Sequence, residues 1–126
     1  YQSFLDGIVK GSIDYDDRHR DGRIENDRTI ALSEFQNTIH RLDALAWIDN
    51  QKPLWVRLED VAEQESPSSW SSSSVQRELQ ALVSHTVHHY ALIAIMLQLK
   101  GYLPAKEFGV APSTLKRWRS AALCAQ

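Results

Sequence analysis

Val75-Gln76-Arg77-Glu78-Leu79-Gln80-Ala81-Leu82-Val83-Ser84-His85-Thr86-Val87-His88-His89-Tyr90-Ala91-Leu92-Ile93-Ala94-Ile95-Met96-Leu97-Gln98-Leu99-Lys100 contains neither proline nor glycine until Gly101 closes it. Ser73 followed three residues later by Gln76 has the form of a capping box, and the run predicts the main helix of the fold. At about 100° per residue, Ala81, Leu82, Leu92, Met96 and Leu99 make one apolar stripe, which this reading turns toward a core. His85 and His89 fall on that stripe, one turn apart, so their imidazoles can aim at a single point. His88 lies roughly 60° from His85, on the flank of the stripe.

Working outward, residues 28–48 place Ala31, Phe35, Ile39, Leu42 and Ala46 on one face, with Asn26 or Asp27 suited to cap them. Residues 1–10 have Phe4, Leu5, Ile8 and Val9 at helical spacing before Gly11, and read as the end of a helix. The ionised stretch 14–28, containing His19, reads as a solvated loop, as does the serine-rich 65–74. Leu54, Val56 and Leu58 alternate with Trp55, Arg57 and Glu59 in the period of a short strand or hairpin arm. Pro104, Gly109 and Pro112 break the tail, leaving one or two helical turns around 114–122. Two long amphipathic helices and a piece of a third predict an all-α bundle, four-helical if residues precede Tyr1.

With 126 residues the chain has room for one domain, 1–126, and 43% apolar with 24% charged residues excludes wholesale disorder. The formal charge of -2 gives no general attraction to nucleic acid or acidic lipid. Cys124 has no partner for a disulfide, which suits a cytoplasmic protein. The longest unbroken apolar run, 90–97, is short of the roughly 20 residues of a membrane span. Tyr1 lacks an initiator methionine and a secretion-signal pattern, and the chain reads as a fragment without its N-terminal part.

Two neutral imidazoles buried side by side each need a partner for a ring nitrogen, and one divalent ion serves both; zinc, nickel or ferrous iron suits nitrogen ligands. A pair is incomplete, since zinc chemistry uses three protein ligands and an open position. The metalloprotease form His-Glu-x-x-His is absent because Thr86 follows His85. His40 lies on the other complete helix but about 140° from its apolar stripe, beside Gln36 and Trp47, and His19 lies in the charged loop. Glu78, two turns before His85, is placed to orient an imidazole or complete the shell, or else to form a rim salt bridge.

Arg77-Glu78-Leu79, Ser84-His85-Thr86-Val87-His88-His89-Tyr90-Ala91-Leu92-Ile93 and Phe108-Gly109-Val110-Ala111-Pro112-Ser113-Thr114-Leu115 together resemble the DinB/YfiT-like superfamily. Asp14-Tyr15-Asp16-Asp17-Arg18 and Arg23-Ile24-Glu25 resemble one of its subfamilies. The resemblance implies an up-down-down-up four-helix bundle holding one divalent metal through three histidines, two spaced as His85 and His89 are. The third comes from the second bundle helix, so it is expected upstream of Tyr1, with Glu78 and His88 in supporting positions. Family members with assigned activities are metal-dependent transferases using low-molecular-weight thiols, including thiol-dependent isomerases.

The expected function is thus metal-dependent thiol transfer to an unidentified small molecule, the metal's open position holding a cofactor thiol as thiolate. Activation of water for hydrolysis is equally compatible. No Gly-rich phosphate loop or Ser/His/Asp arrangement competes with this. A rival without chemistry is a helical module dimerising through apolar faces that include Tyr90 and Trp47; a homodimer suits the enzyme as well. The other rival is DNA binding by residues 109–119, with Arg117 and Arg119, as a helix-turn-helix. The bracing helix would have only 103–108, with Pro104 inside, so no nucleic-acid partner is expected.

Overall fold

Phe4, Leu5 and Ile8 recur at helical spacing, and α1 (Gln2–Lys10) buries all three. Gly11 ends it in the left-handed conformation (φ 82°), its N–H returning to the carbonyl of Gly7, and the chain runs directly into a strand, β1 (Ser12–Asp14). The computed structural model describes residues 1–17, 20–58 and 70–124. They form two compact units, Tyr1–Glu78 and Leu79–Gln126.

In the first unit β1 pairs in parallel with β2 (Pro53–Arg57), Ile13 opposite Val56, and β2 pairs antiparallel with β3 (Trp70–Ser74), Leu54 opposite Ser73. The strand order is therefore β1-β2-β3. Pro53, which has no N–H to donate, opens the central strand, a position a sheet tolerates. Leu54 points inward and Trp55 outward, as their alternation predicts. The core is α1 against this sheet: Phe4, Leu5, Ile8, Ile13 and Leu54, completed by Val75. Gly7 permits the close approach, since a Cβ there would lie 2.5 Å from the Ser12 carbonyl oxygen. The Lys52 ammonium reaches the Ile8 carbonyl at 2.8 Å, satisfying an end of α1.

A short α2 (Gly22–Asn26) precedes α3 (Arg28–Asp43), capped by the Asp27 carboxylate on the amides of Thr29 and Ile30. Arg41 of α3 binds Gln2 and Asp6 of α1, and Thr38 accepts from Gln2. The helix thus lies on α1 by its polar side. Its apolar stripe is not buried: Phe35 and Ile39 are exposed, and no residue of α3 is buried.

The second unit contains most of α4 (Val75–Leu99) and α5 (Pro112–Cys124). By length and composition α4 is long and apolar enough to cross a membrane, which the unbroken run 90–97 alone does not convey. The helix nevertheless carries three ionisable histidines, His85, His88 and His89, within its length, and ionisable groups are costly inside a bilayer.

The all-α four-helix bundle expected from the sequence is not the fold. The described residues form five helices and a three-stranded mixed sheet. Among the described residues the one substantial core is α1 on that sheet; β3 comes from the serine-rich segment read as a loop, and β1 from residues between the first helix and the charged loop to which no element was assigned. Helical stripes meant for a bundle interior remain exposed, among them Leu92, Met96 and Leu99 of α4.

Candidate functional site

On α4 the i, i+4 relation brings His85 and His89 together, their Nε2 atoms 3.0 Å apart and their rings edge to face with centroids at 4.5 Å. His88 stands aside, 5.7 Å from His89 and 6.5 Å from His85 by ring centroids. All three rings are exposed, which corrects the expectation of an inward pair. The stripe around them has no covering element among the described residues, so burial does not force them to share an ion. Their convergence does not depend on burial.

Two Nε2 atoms at this distance cannot both carry a proton: one ring donates and the other accepts, so the pair alone requires one Nε2 protonated and the other bare. A cation removes that requirement, because both rings then present lone pairs. Nitrogens each about 2.0–2.1 Å from one ion lie ~2.9 Å apart at a right angle and ~3.4 Å apart at the tetrahedral angle. The observed 3.0 Å lies in that interval and is also the length of a hydrogen bond, so the spacing admits either a shared proton or two ligands of one transition-metal ion.

The described residues contain no group of three His, Cys, Asp or Glu able to hold a metal. His40 is exposed on α3, in the first unit, and His19 lies outside the described residues. Glu78 is buried, and its two carboxylate oxygens accept one hydrogen bond each, from the Tyr15 hydroxyl at 2.9 Å and the Ser73 hydroxyl at 2.5 Å. Burial first, then the hydrogen bond and charge of Glu78, push the Tyr15 phenol above its ordinary range. This triad ties the end of β1 and the end of β3 to the first turn of α4. The sequence points to Ser73 only as a helix cap and to Tyr15 only within a resemblance; their shared contact with Glu78 is a tertiary one that no local pattern marks. The helix cap also falls one residue later than the capping box suggests, on Ser74, which accepts from the Arg77 amide at 3.3 Å.

Immediately beyond His89 the tail packs back on α4. Phe108 stacks on Tyr90, centroids 4.9 Å apart, and Gly109 (φ 75°) rests on the backbone of Tyr90 and Ala91. Tyr90, read as a dimer anchor, is thereby engaged within its own unit, whereas Trp47 is 95% exposed. In the tail, Lys106 lies over Trp118 and residues 106–109 form turns, not a helix preceding α5.

Over 105 residues the chain is 34% identical to FK506-binding protein 5 of Rhizopus delemar, a match covering 82% of this chain and 27% of that protein. The chain thus spans about a quarter of that relative's length. No family model matches the chain. No solved structure matches it.

Proposed function

We propose that this chain carries two ligands of a divalent-metal site of the DinB/YfiT-like kind, His85 and His89, and that the intact site serves metal-dependent thiol transfer to a small molecule. The observation that carries the reading is the 3.0 Å approach of the two Nε2 atoms. The resemblance of residues 84–93 and 108–115 to that superfamily supports it, as does the docking of the second of these segments beside the first. Among the described residues no third His, Cys, Asp or Glu joins them.

A bound divalent ion of the zinc, nickel or iron type would hold a low-molecular-weight thiol as its thiolate, or a water as hydroxide, at neutral pH. The chain's own part is to bind and orient. The helix fixes the two imidazoles one turn apart, the Thr86 hydroxyl is tied back to the Leu82 carbonyl at 2.8 Å, and Phe108 and Gly109 hold the next turn in place. No side chain need act as the nucleophile.

Elemental analysis of the purified protein beside a His85→Ala/His89→Ala variant tests the metal: stoichiometric metal in the first and none in the second is expected, and equal metal in both overturns the proposal. In cobalt-loaded protein a visible-band shift on adding a small thiol supports transfer, and an unchanged spectrum favours hydrolysis. The binding named in the relative's description belongs to a protein almost four times the matched length, and no residue described above favours it for this chain.

A further inference from the structure

Charge is divided unevenly along the chain. Residues 79–126 carry five Lys and Arg against a single acidic residue, Glu107, whereas residues 1–78 carry nine against fifteen. The near-neutral total conceals a basic unit and an acidic one, and each has a surface depression where its sign predominates.

On the basic unit the depression runs along α5, about 400 Å³, with Pro112, Leu115 and Leu123 flanked by Lys116 and Arg119. Arg119 has only a 3.9 Å approach to Glu107, with both side chains largely exposed, a pair worth little. Lys116 and Arg117 have no carboxylate within ion-pair distance among the described residues. On the acidic unit a cleft of about 500 Å³ is lined by Asp6, Asp14 and Asp17, with Trp70 as an apolar wall and with Lys10 and the Tyr1 α-ammonium as its positive groups. Asp6 and Asp14 meet Arg41 and Arg57, but Asp17 has no cation within ion-pair distance among the described residues. A cleft of carboxylates beside an indole face suits an ammonium or guanidinium group on an apolar stem.

We infer that the chain associates with a second copy of itself, the Lys116/Arg119 face of α5 in one copy docking on the Asp6/Asp14/Asp17 cleft of the other. The two surfaces are of opposite sign, and each combines charge with apolar groups, Leu115 and Leu123 on one side and Trp70 on the other. A nucleic acid or an anionic membrane would meet the same cations but also a chain of net charge -2, whereas a second copy turns those carboxylates into attraction. The inference is independent of the histidine pair.

Sedimentation of the 126-residue chain tests it at about 20 mM and about 500 mM salt, where the Debye length falls from ~20 Å to ~4 Å. The mass is expected to exceed the monomer at low salt and to fall toward it at high salt. Lys116→Glu/Arg119→Glu and Asp6→Lys/Asp17→Lys should each weaken association about a hundredfold or more, through like charges placed face to face. Mixing the two variants should restore it, because the exchanged charges again match, and this restoration also shows that both variants are folded. A monomeric wild type at low salt overturns the inference, as do variants that associate normally or a mixture that stays monomeric. So does loss of binding to duplex DNA or phosphatidylserine vesicles in the α5 variant with its mass unchanged.

Discussion

Phe108 lies nearly parallel to Tyr90, 17° between ring planes, so the residue after His89 is the platform on which the tail of the chain is laid. Gly109 makes this possible. A Cβ there would stand 2.6 Å from the Ala91 nitrogen and 2.8 Å from the Tyr90 carbonyl carbon, and its φ of 75° disfavours any L side chain.

Gly109→Ala is therefore expected to destabilise the second unit by about 2–3 kcal/mol, combining backbone strain with a clash that no flexible side chain can relieve. Gly101 is the control: its φ is 81°, but nothing lies within 4 Å of a Cβ, so Gly101→Ala should cost only about 1 kcal/mol. Urea unfolding of both variants checks the difference, and equal costs would show that the tail is not seated on α4.

Glu78 makes a prediction about pH through Tyr15. The Tyr15 phenol is held above its ordinary value, chiefly by burial and then by Glu78, so folding favours the neutral phenol. Its contribution to stability is complete below the unfolded value of about 10 and is lost as pH rises through the folded value. Tyr15→Phe should cost about 1–2 kcal/mol at neutral pH and reduce the fall in stability above pH ~10. Glu78→Ala should cost about 1–3 kcal/mol, leaving two hydroxyls without their acceptor. Unfolding measured across alkaline pH follows both effects, and an unaltered alkaline slope in the Tyr15 variant would remove Tyr15 as its source.

The same residues show what the sequence could and could not convey. The long helix was legible from its unbroken run, α3 from its cap, and the inward turn of Leu54 from alternation. The sheet was not, because β1 is three residues long and β3 is a serine run with no apolar period; both exist by pairing with β2, a tertiary effect that no local window contains. The stripes of α3 and α4 misled for the converse reason. A helical period shows which face could be buried, not whether anything covers it, and here Phe35, Ile39 and Met96 stay exposed. The histidine pair was legible because i, i+4 geometry is internal to one helix; its exposure was not.

If the core is α1 against the sheet, it should be intolerant where those layers touch. Ile13 is fully buried on β1 and packs where Gly7 admits it. Ile13→Ala should cost about 2–5 kcal/mol, a large share of the roughly 5–15 kcal/mol of an ordinary domain. Gly7→Ala should cost at least about 2 kcal/mol by driving a methyl onto the Ser12 carbonyl. Phe35→Ala, on the exposed face of α3, should change stability by less than about 1 kcal/mol. A Phe35 variant as damaged as the Ile13 variant in thermal unfolding would mean that the α3 stripe is covered after all.

The ligand assignment is tested residue by residue through competition with a zinc chelator. If one ion bridges the facing nitrogens, His85→Ala and His89→Ala should each weaken zinc by at least about a hundredfold, since a missing ligand must cost no less than the tenfold to hundredfold of a lost supporting contact. The double variant should be little worse than either single one, because a site reduced to one of these imidazoles is already lost and the effects cannot add. His88→Ala, whose ring stands 5.7 Å from that of His89, should stay within about tenfold of wild type, the range of a neighbour that orients but does not bind. His40→Ala should leave zinc affinity unchanged, since no group of three ligating side chains among the described residues includes His40. Additive losses at His85 and His89 would mean two independent weak sites, and a His88 variant as impaired as either would move the site to another pair of rings.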